Sequence, residues 1–293
     1  MPSDNIKMNW AYRIAIWLKE KNIFQYLPWR SLKAYVYPFT IPGKKKTYNA
    51  SIYFESYYRS VSEHEFTDRI TIEKNTDPLH AWYHYNNTEN SIIRGLNRFK
   101  VPENPTVIDI GSGAGHWIDF YRNILNPSYI AGLEISGTCA DKLRNKYKNS
   151  DEVWIVEGDI SDTSLELERS FDIVNAIGII FHIVDDNRWF QALVNMRQLL
   201  NDQGIIFIGG HCGRITQNVQ FHLSDQFNGK EEIPISNTST EVLINKRIRS
   251  LRCWKRTAKK AGLKVQWVIR TKNASEILTP ENNIIILKRI LNQ

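Results

Sequence analysis

Cysteine is scarce in this chain, which has only Cys139, Cys212 and Cys253 among its 293 residues. The three lie far apart, with no C-x-x-C pair and no Cys/His pair at ligand spacing. This pattern argues against a disulfide framework and a structural zinc site, and it favours a reducing, cytoplasmic setting. Long apolar runs are also absent, because Arg13 and Lys19 interrupt the apolar stretch near the start. We therefore predict neither a membrane span nor a signal peptide.

The signatures of several enzyme classes are missing too. The sequence has no G-x-S-x-G serine elbow, no G-x-x-x-x-G-K phosphate loop and no H-E-x-x-H. Hydrolase, NTPase and metalloprotease functions therefore lack support. What the chain does contain is 42% hydrophobic, 12% aromatic and 24% charged residues. This composition and length predict a globular protein of one large domain or two small ones.

The net charge of +7 comes from one short segment. Residues 246–260 hold eight Lys or Arg and no acid, whereas the remainder has 30 basic and 31 acidic residues. Apolar residues recur there at steps of three and four, which predicts an amphipathic helix over 239–261 with its charges outward. Such a face is usually only solvated. Binding of an anionic substrate, RNA or a lipid surface stays open as an alternative.

Beyond residue 101 the chain alternates between apolar runs and helical patterns. This alternation predicts a doubly wound α/β fold of the Rossmann-like kind, with a mostly parallel seven-stranded sheet covered on both faces. No clear helix separates the last two strands, so we predict that the final strand runs antiparallel beside its predecessor. Strands are predicted at 106–111, 129–135, 153–158, 171–177, 204–209, 263–270 and 283–287. Helices are predicted at 116–123, 137–147, 187–200 and 239–261.

Residues 1–100 differ from the rest, with aromatic clusters, polar loops and several prolines. We predict that they form an irregular N-terminal cap that covers the substrate, while residues 101–293 form the main domain. A second irregular stretch, 213–237, is predicted to be a lid, because loops of that length are usually functional or disordered.

The strongest motif is VIDIGSGAGHW, in which Asp109 ends an apolar strand and Gly111, Gly113 and Gly115 follow. Glycines let the chain turn sharply and bring backbone amides close to a ligand at the N-terminus of the next helix. A dinucleotide fingerprint needs G-x-G-x-x-G, and here the spacing is G-x-G-x-G instead. Glu134 ends the next predicted strand, where an acid can hold two ribose hydroxyls.

On these residues the sequence resembles the class I S-adenosyl-L-methionine-dependent methyltransferases, over about residues 100–290. Their pattern of an acid before G-x-G-x-G, an acid ending the second strand and an acid after the third is matched by Asp109, Glu134 and Asp159. The resemblance implies S-adenosyl-L-methionine as cofactor, with Glu134 on the ribose and Asp109 near the amino group. The predicted cofactor-binding residues are Asp109, Gly111, Gly113, Gly115, Glu134, Asp159 and Ile160 beside the adenine, Asn175, and Tyr83 as an aromatic face.

His182 is the side chain that we single out for chemistry, because it follows the fourth predicted strand at the edge where ligands bind in open α/β sheets. A neutral imidazole there could remove a proton from a hydroxyl acceptor. The alternative is a histidine that only shapes its loop through Asp185 or Asp186. His211 and His222 are the next candidates. No metal is predicted.

The favoured function is methyl transfer to an oxygen or nitrogen of a small-molecule acceptor. One alternative is a methyltransferase that docks RNA or protein through the basic helix 246–260. Another is a domain that binds the cofactor without catalysing a reaction. The sequence lacks the N/D-P-P-Y/F signature of many base and amide methyltransferases and has NAIGI instead, so nucleic acid is not the favoured partner.

Overall fold

Two sheets organise the chain in the computed structural model, which describes residues 44–47, 49–68, 78–209, 212–213, 216–222, 241–270 and 283–291. The main sheet contains β2 (Thr106–Ile110), β3 (Tyr129–Glu134), β4 (Val153–Glu157), β5 (Phe171–Ile177), β6 (Leu200–Gly209), β10 (Leu263–Ile269) and β11 (Ile284–Arg289). The second sheet contains β1 (Lys44–Thr47), β7 (Cys212–Gly213), β8 (Gln217–His222) and β9 (Glu241–Ser250).

Helices connect or cover these strands. Among the described residues, α1 (Ala50–Arg59) and α2 (Pro78–Phe99) precede the main sheet. Those that follow are α3 (His116–Leu125), α4 (Gly137–Lys146), α5 (Asp186–Leu199) and α6 (Leu251–Lys260). Short 3-10 turns lie at Glu63–Glu65 and Ile180–His182. None of the helices in the described part of the chain has the length and apolarity that a membrane crossing requires.

The main sheet confirms the predicted doubly wound α/β fold. Its strand order is β10-β11-β6-β5-β2-β3-β4, and every neighbouring pair is parallel except the two that involve β11. The final strand therefore runs antiparallel beside its predecessor, as predicted. The strand order reverses between β2 and β5, so the crevice for a ligand lies at the carboxyl ends of these two strands.

Both faces of the sheet are buried, because its central strands carry apolar residues in nearly continuous runs. On one face, α5 and α6 pack through Trp189 and Trp254, whose rings meet edge to face at 4.9 Å. On the other face, α3 contributes the fully buried Ile118 and Tyr121. Helices packed on both faces thus fix the positions of the strands and of their carboxyl ends.

Part of the N-terminal segment belongs to this core. The helix α2 buries Ile92 and Leu96 against the sheet. Gly95 allows the close approach, since a Cβ there would lie 2.5 Å from a ring carbon of Phe207. The sequence analysis predicted no helix here, because the aromatic and polar residues of 78–99 obscure the apolar spacing. That residues 1–100 cover the substrate stays a prediction.

The helix predicted over 239–261 is wrong in its first half. Residues Glu241–Ser250 form β9, which pairs in parallel with β1 and antiparallel with β8, and only Leu251–Lys260 are helical. The pattern misled because apolar residues four apart in the sequence share a face in a regular strand as well as in a helix. The predicted lid 213–237 lies mostly outside the described residues, although it includes β8.

The presence of a strand at 241–250, where a helix was predicted, matters most for Arg249. The helix prediction placed its charge in solvent, but it is only 1% exposed. Its guanidinium lies 4.2 Å from the Trp189 ring centroid and donates to the Ile183 carbonyl at 2.9 Å and to the Asp186 carboxylate at 3.0 Å. Burial lowers the pKa of Arg249 to about 10, so it remains charged at neutral pH. It ties the second sheet to the loop after β5.

We expect Arg249→Ala to lower the free energy of unfolding by about 1 to 3 kcal/mol, because the partly buried Ile183 carbonyl loses its donor and Asp186 loses one of its arginine partners. Arg252→Ala, at an exposed position three residues away, should change it by less than about 0.5 kcal/mol. Urea denaturation measures both. Equal stabilities of the two variants would contradict the anchoring role.

Candidate functional site

The turn between β2 and α3 requires its glycines. Gly111, Gly113 and Gly115 have φ values of 72°, 54° and 88°, in the left-handed region that other residues rarely adopt. A Cβ on Gly111 would lie 2.3 Å from Ile179 Cγ2, and one on Gly115 would lie 2.3 Å from the Tyr147 hydroxyl. The turn thus packs closely against the loop after β5.

Glu134 lies at the end of β3 and binds this turn directly. Its Oε2 accepts the Gly113 N–H at 3.0 Å, and its Oε1 accepts the N–H groups of Ile135 at 3.0 Å and Ser136 at 3.3 Å. Glu134 is only 4% exposed, and burial raises its pKa despite these hydrogen bonds. The structure therefore brings two of the predicted elements, the glycine turn and the acid after the second strand, into contact.

Asp109 and Asn175 face each other across β2 and β5 at the point where the strand order reverses. Asn175 donates from Nδ2 to Asp109 Oδ1 at 2.7 Å, and its own Oδ1 accepts from the Tyr121 hydroxyl at 3.1 Å. The second carboxylate oxygen of Asp109 is buried without a hydrogen-bond partner. Burial raises the pKa of Asp109 to about 7. Buried carboxylate oxygens normally have a hydrogen-bond partner, so this one is suited to a ligand group that carries a positive charge or a hydrogen-bond donor.

Asp159 and Ile160 follow β4, and their surroundings differ. Asp159 Oδ1 accepts from the N–H and hydroxyl of Ser161 at 2.7 and 2.6 Å, and its Oδ2 forms an ion pair with Arg188. Ile160 is buried, and its carbonyl accepts from Asn195 at 2.8 Å. Arg188 leaves no signal in the sequence, since nothing in its spacing indicates this pairing across 29 residues.

His116 takes the position after the last glycine and connects the turn to the N-terminal segment. Its Nδ1 lies 2.7 Å from Asp68 Oδ2, and its ring stacks on Tyr85 with centroids 3.6 Å apart. Glu89 Oε1 lies 2.9 Å from Nε2, outside the direction in which a ring N–H would donate. Tyr83 is 44% exposed. It lies two positions before Tyr85 in α2, and residues two apart in a helix point to nearly opposite sides. The aromatic contact with the turn comes from Tyr85.

His182 lies in the 3-10 turn after β5, at the same edge of the sheet. Its ring contacts Phe54 of α1 edge to face, with centroids 5.3 Å apart. Asp185 accepts from the N–H groups at the start of α5, and Asp186 binds Arg247 and Arg249. Both carboxylates thus have structural roles of their own. His211 and the side chain of His222 lie outside the described residues.

Metal ligands do not cluster in this region. No group of three His, Cys, Asp or Glu side chains in the part of the chain that the structure describes is arranged to hold a metal ion. The acids that a metal could use are committed to helix capping and to arginines.

Comparison with known proteins agrees with the fold. Residues 107–204 match the family model described as a methyltransferase domain. An S-adenosylmethionine-dependent methyltransferase from Clostridium acetobutylicum aligns over 82% of this chain and 99% of its own, with 15% identity and a TM-score of 0.52. The 1,6-didemethyltoxoflavin-N1-methyltransferase of Burkholderia thailandensis aligns over 85% and 95%, with 13% identity and a TM-score of 0.53. At such identities the likeness shows the fold. No curated protein matches the chain in sequence.

The raised pKa of Asp109 predicts a pH-dependent stability. The unfolded carboxyl titrates near 3.8 and the folded one near 7, so folding favours the protonated form, and the free energy of unfolding falls as pH rises between these values. Asp109→Asn mimics the protonated form, and we expect it to remove about 2 to 3 kcal/mol of the loss between about pH 5 and 8.

Urea denaturation at both pH values measures this difference, with Asp151→Asn at an exposed position as the control. Parallel pH curves for the wild type and Asp109→Asn would show that Asp109 is already ionised in the folded chain at pH 5.

Proposed function

We propose that this chain, whose residues 107–204 match a methyltransferase domain, is a class I S-adenosylmethionine-dependent methyltransferase that transfers the methyl group to an oxygen or nitrogen of a small-molecule acceptor. One observation supports the cofactor site above all: the buried Asp109 oxygen that has no partner, at the strand-order reversal and beside the glycine turn. The amino group of the cofactor is a cation of the kind that this oxygen lacks.

The residues of the site fit the parts of this cofactor. Asp109 would hold the ammonium, Glu134 the ribose hydroxyls, and Asp159 with Ile160 the adenine side. The Gly111–Gly115 turn leaves room for close approach because it has no side chains there. Asn175 orients Asp109 through the bond at 2.7 Å. Glu134 accepts hydrogen bonds from three backbone amides and lies within hydrogen-bonding reach of the Cys139 thiol, and a carboxylate has further lone pairs for hydroxyl donors.

When bound, S-adenosylmethionine supplies a methyl carbon that its sulfonium sulfur already activates. The chain then needs to position an acceptor in line, exclude water and remove a proton. His182 would accept the proton of a hydroxyl acceptor on its neutral ring, and the contact with Phe54 orients that ring. An amine acceptor attacks through its unprotonated nitrogen and needs less help from a base.

The choice of a small-molecule acceptor is supported by two features. The toxoflavin-type methyltransferase with the same fold holds its small acceptor together with S-adenosylhomocysteine. In this chain, α1 lies against the loop of His182 through Phe54, and a small acceptor needs less room beside that loop than a macromolecule does.

A macromolecular acceptor is the second candidate, because the outer face of α6 keeps five cations. Arg252, Lys255, Arg256, Lys259 and Lys260 are all exposed, and no carboxylate of the described residues forms an ion pair with them. Arg247 and Arg249 do not belong to this surface, since both bind Asp186. Phosphate groups would be the matching partners of such a face.

Transfer of label from the cofactor tests the proposal. The protein is incubated with methyl-labelled S-adenosylmethionine and, separately, with metabolite, RNA and protein fractions. We expect label in the metabolite fraction. Label in RNA that disappears at higher salt would favour the second candidate. Cofactor binding without any label transfer would identify a binding domain that does not catalyse.

Glu134→Ala should weaken the binding of S-adenosylhomocysteine by about 1 to 3 kcal/mol, because two hydroxyls lose a charged acceptor. Isothermal titration calorimetry measures this loss, with Glu166→Ala at an exposed position as the matched control. NAD binding without S-adenosylhomocysteine binding would contradict the cofactor assignment. Unchanged affinity in a folded variant would remove Glu134 alone from the site.

His182→Ala should lower kcat about 10²- to 10⁴-fold for a hydroxyl acceptor while cofactor affinity stays within a few-fold. The wild-type rate should also fall at acidic pH as the imidazole takes up a proton. Steady-state kinetics with the labelled metabolite provide both measurements. Full turnover with an unchanged pH profile would leave His182 a purely structural role.

A further inference from the structure

The helix α1 contacts both sides of the crevice. Phe54 packs against His182 on the side of β5, while Glu55 and Tyr58 reach the loop and helix that follow Glu134 on the side of β3. No motif in the sequence points to this helix, since its aromatic residues resemble ordinary core material. Its position makes it part of the site and not only a cover.

Glu55 makes a dense set of hydrogen bonds. Its Oε2 accepts from the Ser136 hydroxyl at 2.8 Å and the Thr138 N–H at 3.2 Å, and its Oε1 accepts from the Thr138 hydroxyl at 2.6 Å. Arg59 also donates to Oε1, at 2.9 Å. The hydrogen bond from the Thr138 hydroxyl is the largest cause that lowers the pKa of Glu55, to about 2, although burial opposes it. Glu55 is therefore an anion at any ordinary pH.

Ser136 connects this carboxylate to Glu134. Its N–H donates to Glu134 Oε1, while its hydroxyl donates to Glu55 and accepts from the Cys139 N–H at 3.1 Å. Because Ser136 has one hydroxyl proton, the bond to Glu55 fixes the direction in which that hydroxyl points. The loop and the Glu134 carboxylate are thus held in one arrangement by a residue 81 positions earlier in the chain.

Tyr58 of α1 packs beside the same loop and Glu134. It is 5% exposed, hydrogen-bonds the Cys139 thiol and lies close enough to Glu134 for that charge to raise its pKa further, after the larger effect of burial. Two residues of α1 therefore restrict the surroundings of Glu134. A carboxylate held in place loses less freedom when a ligand binds, which favours affinity.

From these contacts we propose that Glu55 is a positioning residue of the cofactor site, which holds the 135–138 loop so that Glu134 is set for the ribose hydroxyls. The inference rests on the proposed function, because it needs the cofactor at Glu134. Because Phe54 of the same helix contacts His182, we expect a change in the order of the 135–138 loop to affect the loop of His182 as well.

Calorimetric titration with S-adenosylhomocysteine tests the proposal on the full chain. We expect Glu55→Gln to weaken binding about tenfold or more, because the amide loses the charge and turns donors toward Ser136 and Thr138. Two controls should stay within about twofold. Arg59→Gln removes only an exposed partner of Glu55, and Glu63→Gln removes a different contact with α4, the ion pair with Lys142.

Thr138→Val attacks the same contact from the opposite side and is nearly isosteric. If Glu55 acts through Thr138, the double variant should bind no more weakly than the weaker single variant, whereas independent losses would add. Hydrogen exchange gives a readout without any ligand or turnover. Glu55→Gln should speed the exchange of backbone amide hydrogens at 135–138 and also at 179–183, while the amides of the main sheet keep their rates.

The outcomes distinguish a failure of the proposed function from a failure of the positioning role of Glu55. Wild-type protein that does not bind S-adenosylhomocysteine would overturn the proposed function. Wild-type binding with unchanged affinity in folded Glu55→Gln would overturn the positioning role alone. Additive losses in the double variant, or faster exchange spread over the whole chain, would also overturn it, since both indicate general loosening.

Discussion

The site depends on a turn that three glycines make. Three residues with positive φ occur within five positions after β2, and they bring the Gly113 amide to the Glu134 carboxylate. A side chain at Gly111 would collide with Ile179. The ends of β2, β3 and β5 therefore meet around one small volume, and the buried acid Asp109 lies at its base without a partner for one oxygen.

The buried acid Asp109 carries a cost in free energy that a ligand could offset. Burial opposes its charged form, and Asn175 offsets only part of the effect. A cationic group beside this carboxylate would restore the missing interaction, so the free energy that burial costs would return as affinity. Glu134 shares this logic, although its three amide donors leave it better satisfied.

Elements outside the 107–204 methyltransferase match hold this arrangement together. On one side, α1 and α2 bring Glu55, Tyr85 and the His116 contacts to the turn and to the loop after β3. On the other side, β9 contributes Arg249, which binds the loop after β5. One fold hosts many functions, and the groups that distinguish them commonly lie in such additions to the shared sheet.

The sequence by itself determined the main sheet, its antiparallel final strand and the glycine turn with its acids, because these depend on local periodicity and on residues close together in the chain. It could not place Arg249, whose segment has a spacing compatible with helix and strand alike, nor find Glu55, Asp68 and Arg188. Their partners lie 81, 48 and 29 residues away. Only tertiary structure brings such groups together, since a hydrogen bond across that distance leaves no periodic trace in the sequence.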